Sequence, residues 1–82
     1  MKPGYAWKTI KFYERETIGE RIAKARAFYK MTVGDLAELA HLSKSVIHHI
    51  EHGQDFRVST LFVLCRALDI APDQLMRGCF KE

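Results

Sequence analysis

The 82-residue sequence has few residues that would reinforce a small fold covalently. Its two cysteines, Cys65 and Cys79, have no paired spacing, and Cys65 lies in an apolar run where a free thiol behaves as a small hydrophobic side chain. We therefore expect two free thiols and no disulfide framework. Apolar runs long enough to cross a bilayer are also missing, as is the continuous apolar stretch of a signal peptide, so we expect a cytoplasmic protein.

The sequence also lacks the residue combinations that indicate catalysis. It has no glycine-rich phosphate loop, no nucleophile with a base at a recognisable catalytic spacing and no carboxylate pair in a plausible cleft, so we predict that it is not an enzyme and binds no cofactor. Among its four histidines, His48 and His52 have the i, i+4 spacing that can share a zinc ion. Because no cysteine or carboxylate lies near them at ligand spacing, we predict no metal site.

What remains is a globular composition with a small basic excess. Hydrophobic residues make up 48% of the chain and charged residues 28%, a balance that argues against disorder. The formal net charge of +3 is compatible with a nucleic-acid partner, although an ordinary solvated surface can carry the same excess. A domain of this size buries only a little over ~60% of the surface that its unfolded chain exposes, so we expect a thin stability margin.

Residues 1–16 differ from the rest of the chain. Pro3 and Gly4 indicate a turn, and the apolar residues that follow have no helical periodicity. A weak alternation of apolar and polar residues predicts a short strand near residues 8–13. Residues 1–11 contain three lysines and no acid. Two roles stay open for the segment: an arm along a DNA backbone, or a strand whose aromatic side chains pack over the helices.

From Thr17 onward the sequence predicts five short helices. Thr17 and Glu20 form a capping box at the start of the first helix, and Thr32 with Asp35 forms a weaker one at the second. Ser43 is the expected N-cap of the third helix. The expected helices cover about 18–29, 32–40 and 44–52, followed by one that begins near 58–60 and one that runs from Pro72 to Gly78.

This pattern predicts an all-α fold, a five-helix bundle preceded by an irregular or short-strand segment. The helical domain would span residues 17–78, with a tail at 79–82. Only His41 and Leu42 separate the second helix from Ser43, which is the tight connection of a helix-turn-helix. The expected inner face of the second helix consists of Leu36, Leu39 and Ala40.

The third helix has two faces of different chemistry. At 100° per residue, Val46, Ile47 and Ile50 share one side, which should face the core. The other side consists of Lys44, Ser45, His48, His49 and His52, with Glu51 at its edge. An ordinary solvated helix face would carry Glu and Lys pairs, whereas these side chains suit base edges and phosphates.

Residues 18–77 resemble the Cro-and-repressor-type (XRE-like) helix-turn-helix family. The resemblance rests on an ordered set of residues: Ile18-Gly19-Glu20-Arg21-Ile22, Arg26, Leu36-Ala37-Glu38-Leu39-Ala40, Leu42 through Gly53, Thr60-Leu61, Leu64, Ala67-Leu68 and Leu75. It implies a compact five-helix bundle of the phage-repressor-like type. It also implies sequence-specific binding of double-stranded DNA in the major groove by a small, repressor-like regulator of transcription.

The resemblance assigns roles to individual positions. It implies that Lys44, Ser45 and His49 reach base edges, with His48 beside them. The residues implied to meet phosphates are Thr32 and Ser43 at two helix N-termini and Gln54 or Arg57 in the loop after the third helix. Arg26 and Glu51 occupy the positions of a structural ion pair between the first and third helices.

Several positions depart from the family pattern. Val33 stands where the family usually has a glutamine that contacts phosphate, and Gly34 should cost about 1 kcal/mol relative to alanine. Lys30 and His41 replace turn glycines, so we expect both at positive φ. No arginine projects from the third helix, so Lys44 would have to serve as the guanine reader.

The resemblance implies that two apolar residues of the fourth helix face solvent or an interface. Phe62 and Val63 are a candidate homodimer surface, which family practice favours because two half-sites match pseudo-palindromic DNA. Packing of the N-terminal aromatic residues over this surface is the alternative within one chain. A second function stays open as well: an antitoxin-type or other interaction module that keeps the fold and binds a toxin or another protein.

Overall fold

The computed structural model describes residues 10–13 and 15–77. Within these residues the chain forms five α-helices: α1 (Ile18–Phe28), α2 (Val33–Ala40), α3 (Lys44–Glu51), α4 (Val58–Leu68) and α5 (Pro72–Met76). The all-α prediction is confirmed, and the helix bounds agree with the expected ones to within two residues. None of the helices in the described part of the chain is long and apolar enough to cross a membrane.

The predicted strand near residues 8–13 is absent from its described part, residues 10–13. Backbone carbonyls there accept hydrogen bonds from side chains of α1: Lys24 Nζ lies 2.7 Å from Lys11 O, and Arg21 Nη2 lies 2.7 Å from Tyr13 O. Because side chains and not a neighbouring strand satisfy these carbonyls, the segment runs along α1 as irregular backbone. Residues 8 and 9 lie outside the described residues.

Side chains close the N-termini of the first three helices. In α1 the Thr17 hydroxyl accepts from Glu20 N at 3.0 Å, while the Glu20 carboxylate accepts from Thr17 N at 2.8 Å. Thr32 and Asp35 make the same reciprocal pair at α2, with both distances 3.0 Å. Ser43 Oγ accepts from Val46 N at 3.2 Å and starts α3. These bonds satisfy N–H groups that have no partner inside the helix.

Left-handed residues end the first four helices. Lys30 and His41 both have φ of 58°, as the missing turn glycines predict, and Gly53 has φ of 89°. Asp69, with φ of 57°, is a fourth such residue that the sequence did not single out. In each case the N–H of the following residue donates to a carbonyl five residues earlier, as Leu42 N does to Ala37 O at 2.9 Å. This bond gives a partner to a carbonyl in the last turn of the helix.

The core lies between all five helices and includes Ile10 from the segment before α1. Its fully buried side chains include Ile22, Leu36, Ile47, Leu64, Leu68 and Leu75. Cys65 is buried among them, and burial raises the pKa of its thiol to about 11, so the thiol stays protonated and packs as a hydrophobic group. Cys79 lies outside the described residues.

A buried arginine joins three parts of the chain. Arg21 is 1% exposed, and its guanidinium donates to Tyr13 O, to Leu75 O at 3.0 Å and to Arg77 O at 2.6 Å. It therefore ties α1 to the preceding segment and to the end of α5, where a cation also compensates the helix dipole. The sequence marked Arg21 only as part of the family pattern. Its hydrogen-bond partners are backbone carbonyls, which every residue has, so no residue type in the sequence indicates them.

Candidate nucleic-acid interface

The outer face of α3 is exposed and polar. Lys44, Ser45, His48, His49 and His52, the predicted members of this face, are all exposed. On the inner side Ile47 and Ile50 are buried, with 0% and 2% exposure. Val46 departs from the expectation: it is 36% exposed, because it lies at the edge of the stripe that contacts the core. The exposed face is thus wider than the helical wheel alone indicated, and the apolar Val46 borders its polar side chains.

Two histidine rings on this face lie against each other. The centroids of His48 and His52 are 4.0 Å apart with an angle of 32° between the ring planes. His52 Nδ1 lies 2.7 Å from His48 O and donates to it, since a carbonyl oxygen only accepts. The described residues contain no group of three or more His, Cys, Asp or Glu side chains that would hold a metal ion. Chemically, this face offers imidazole and hydroxyl groups with one ammonium group.

Two contacts with α1 fix the position of α3. The Arg26 guanidinium meets the Glu51 carboxylate with two bonds, Nε to Oε2 at 2.8 Å and Nη2 to Oε1 at 3.1 Å, and Arg26 Nη1 also donates to Met31 O at 2.9 Å. The hydrogen bond that Arg26 donates to Glu51 raises the pKa of Arg26, against the smaller effect of partial burial. Near the N-terminus of α1, Gly19 lies directly against the backbone of Ile50.

The distance at this glycine explains why α1 needs a residue without a side chain. A β-carbon at Gly19 would lie 2.0 Å from Ile50 O and 3.2 Å from Glu51 Cα. No side chain fits in that space, so the two helices touch through their backbones. Sequence reasoning noted Gly19 only as part of the family pattern, because a close approach depends on the partner helix.

The expected phosphate-contacting residues lie on both sides of α3. Thr32 and Ser43 are exposed N-caps of α2 and α3, and each hydroxyl oxygen accepts a backbone N–H while its own proton is free to be donated. Gln54 and Arg57 are exposed in the loop that follows α3. Arg57 is also the N-cap residue of α4 and makes no side-chain capping bond. The structure thus places the expected groups at the two ends of one exposed helix.

Exposed apolar side chains form two separate grooves beside this face. Phe62, 51% exposed, lines the first groove together with Ile18, Phe56, Val58 and Met76. Val63, 38% exposed, lines the second with Leu39, Leu42 and Ala67. Phe62 and Val63 are therefore neighbours in sequence that face different grooves. Leu39, expected on the inner face of α2, is 52% exposed, because Ala37 takes the buried position on that helix.

Comparison with known proteins agrees with this architecture. Residues 19–79 match a family described as a helix-turn-helix domain. A crystal structure of the restriction-modification controller protein C.AhdI from Aeromonas hydrophila is similar to this chain, with 29% sequence identity and a TM-score of 0.68. The similarity covers 71% of this chain and 89% of the controller protein. No curated protein matches the chain.

Proposed function

The chain belongs to the helix-turn-helix domain family, and we propose that this DNA-binding regulator reads its operator by placing α3 in the major groove. One observation carries the proposal. The face of α3 turned away from the core consists of exposed polar side chains, and the N-termini of α2 and α3 lie beside it, both capped by hydroxyl side chains. An α-helix fits the width of the major groove of B-DNA, and hydrogen-bonding groups on its outer face are then close to base edges.

Ser45, His48 and His49 are the groups that we assign to base edges. All three are exposed on α3, and none of them caps a helix. A hydroxyl both donates and accepts, and a neutral imidazole does the same through its two nitrogens, so either can match a base pair. Because arginine is missing from α3, we expect modest sequence discrimination by one protomer.

Thr32, Ser43, Gln54 and Arg57 are assigned to the DNA backbone. Their positions before and after α3 would contact phosphates on either side of the groove. Contacts of this type orient a helix in the groove and contribute affinity that falls steeply with salt.

We also propose that the protein binds as a homodimer through the groove around Phe62. This groove includes Gly53 from the loop after α3, so a second copy seated there would lie beside the C-terminal end of α3. A two-fold dimer of this kind matches two half-sites about one helical turn of DNA apart.

Selection of bound sequences from random DNA tests the function. We expect an enriched half-site, repeated with two-fold symmetry, and an affinity that decreases linearly with salt on a log–log scale. Ser45→Ala should relax the preference at one base pair of the half-site, whereas Ser59→Ala, at an exposed position of α4, should leave binding unchanged. Recovery of no enriched sequence, or of binding that ignores salt, would contradict the proposal.

Sedimentation of two matched variants tests the dimer. Phe62→Glu should shift the protein to monomer and lower its affinity for a two-half-site operator, while Val63→Glu should leave the dimer intact because Val63 faces the other groove. The opposite result would assign the interface to the groove around Val63. Monomeric wild-type protein at operator-binding concentrations would overturn the homodimer.

A further inference from the structure

The side chain of Lys44 lies over a glycine of the neighbouring helix. A β-carbon built on Gly34 would lie 3.0 Å from Lys44 Cε and 3.7 Å from its Nζ. The same point is 3.7 Å from Thr32 Oγ1, the hydroxyl that caps α2. The end of the exposed Lys44 side chain therefore lies beside the first turn of α2. Its ammonium group and the hydroxyl that caps α2 are both 3.7 Å from the same point at Gly34.

This geometry gives a reason for a glycine in the first turn of α2. Glycine is unfavourable inside a helix, and Gly34 has an ordinary helical backbone with no positive φ. The absent side chain leaves the space that the end of Lys44 occupies. A β-carbon at position 34 would lie 3.0 Å from Cε, so the end of Lys44 would have to shift by a few tenths of an ångström.

The charge of Lys44 is not neutralised within the described part of the protein. The ion pairs there join Lys24 to Glu16, Arg26 to Glu51 and Arg77 to Asp73. No carboxylate among these residues lies within ion-pair distance of Lys44 Nζ, and the side chain is exposed. An exposed, unpaired cation that lies beside a helix N-terminus is suited to an anion outside the protein.

Val33, the residue before Gly34 in α2, provides no polar side chain for a phosphate, so a cation nearby would supply a contact that is otherwise missing. Val33, where the resemblance implies a phosphate-contacting glutamine, is partly buried and packs against the core. A valine side chain has no hydrogen-bond donor, so the first residue of α2 supplies no side-chain contact to a phosphate. Lys44 reaches the same end of α2 from the neighbouring helix.

We propose that Lys44 contacts a phosphate of the DNA backbone beside the N-terminus of α2 and does not read a base. Gly34 is the residue that directs it there. Base discrimination is then left to Ser45 and the histidines of α3. The proposal rests on the proposed DNA-binding function, and it assigns to Lys44 the opposite role from the guanine reader that the sequence suggested.

Binding measurements on a panel of operators separate the two roles. The panel consists of the selected operator and every single-base-pair variant of its half-site, titrated by fluorescence anisotropy. Lys44→Ala should lower the affinity about tenfold on every member, and the log–log salt slope per bound protomer should fall by about 0.9. Ser45→Ala is the matched control in α3 and should lose discrimination at one base pair with an unchanged slope. Loss of discrimination at one base pair in Lys44→Ala, about tenfold or more, would overturn the proposal.

A double-mutant cycle tests the part played by Gly34. Gly34→Ala should lower the affinity on all operators several-fold in the wild-type background, and it should have no effect in the Lys44→Ala background. Melting temperatures of both single variants at or above that of the wild type would exclude unfolding as the cause. An equal effect of Gly34→Ala in both backgrounds, or no effect in either, would show that the glycine does not direct the lysine.

Failure of this proposal differs from failure of the proposed function. If the wild-type protein binds no DNA, the function itself is wrong and Lys44 has no phosphate to contact. If the wild type binds its operator and Lys44→Ala changes base preference alone, the function holds and Lys44 is a base reader instead of a phosphate contact.

Discussion

Where α3 meets α1, backbone lies against backbone, whereas its first turn meets α2 through the flexible end of a lysine. At the first contact a β-carbon on Gly19 would lie 2.0 Å from Ile50 O, and at the second a β-carbon on Gly34 would lie 3.0 Å from Lys44 Cε. Both glycines are helical residues without positive φ. Their neighbours differ, because a backbone carbonyl cannot move without moving its helix and the end of a lysine can.

The two ends of α3 therefore differ in the candidate nucleic-acid interface: one end is held in place, and the other carries an adjustable side chain. The end of α3 near Glu51 is held by α1, through the close approach of Gly19 and the bidentate ion pair with Arg26. The beginning of α3 carries Lys44, whose side chain is positioned by α2 but free to adjust to a ligand. A rigid helix with adaptable side chains is what groove recognition needs, since orientation and contact are supplied by different groups.

Gly19→Ala should have the largest effect of any substitution at these contacts. The added methyl group overlaps a backbone carbonyl, so α1 and α3 must separate, at a cost of more than about 3 kcal/mol and a melting temperature lower by on the order of 15 °C. Thermal unfolding followed by circular dichroism measures this. A melting temperature within about 3 °C of the wild type would show that the two backbones are not in contact.

Glu51→Ala should come next. It leaves the Arg26 guanidinium partly buried without its carboxylate, and because Arg26 keeps 20% side-chain exposure the cost is about 2 kcal/mol instead of the larger value for a fully buried pair. Glu38→Ala, at an exposed position of α2, is the control and should change stability by less than about 0.5 kcal/mol. Chemical denaturation gives both values, and equal losses would mean that the pair adds nothing beyond an ordinary surface charge.

Ser43→Ala should cost about 1 kcal/mol, since it leaves Val46 N without its capping oxygen. Its affinity should fall by a similar factor on all DNA sequences if the hydroxyl also meets a phosphate. Ser59→Ala serves as the control, because Ser59 is exposed in the first turn of α4 and caps no helix. The idea of a local cap fails if both serine variants unfold at the same denaturant concentration.

Gly34→Ala should have the smallest effect on stability and the opposite sign to Gly19→Ala. The new methyl group displaces only the end of Lys44, and alanine is favoured over glycine in a helix by up to about 1 kcal/mol. The unfolding free energy should therefore rise slightly while DNA affinity falls. A loss of stability like that of Gly19→Ala would place Lys44 in a rigid contact and remove the contrast between the two glycines.

The parts of the fold that the sequence predicted well are those that short-range chemistry controls. The caps of α1, α2 and α3 join residues three positions apart, so Thr17, Thr32 and Ser43 are recognisable from their neighbours alone. Positive φ at Lys30 and His41 was predicted from the resemblance, because both residues stand where the family usually has a turn glycine.

Errors in the prediction arose where burial depends on a distant helix. Leu39 and Val46 were assigned to inner faces and are exposed. A helical wheel gives the direction of a side chain around its own helix, but it does not show how much of that face a neighbouring helix covers. The division of Phe62 and Val63 between two grooves has the same origin, since α1, α5 and α2 define those grooves.

The sequence by itself determined where four of the helices begin and which face of α3 is polar, because capping bonds and helical periodicity involve residues that are close along the chain. Only the tertiary structure decided how α3 is held and where the end of Lys44 lies. Gly19 with Ile50, Arg26 with Glu51 and Gly34 with Lys44 come from different helices, and their distances depend on how those helices pack. The direction of Lys44 follows from an absent side chain on another helix, which no pattern within α3 contains.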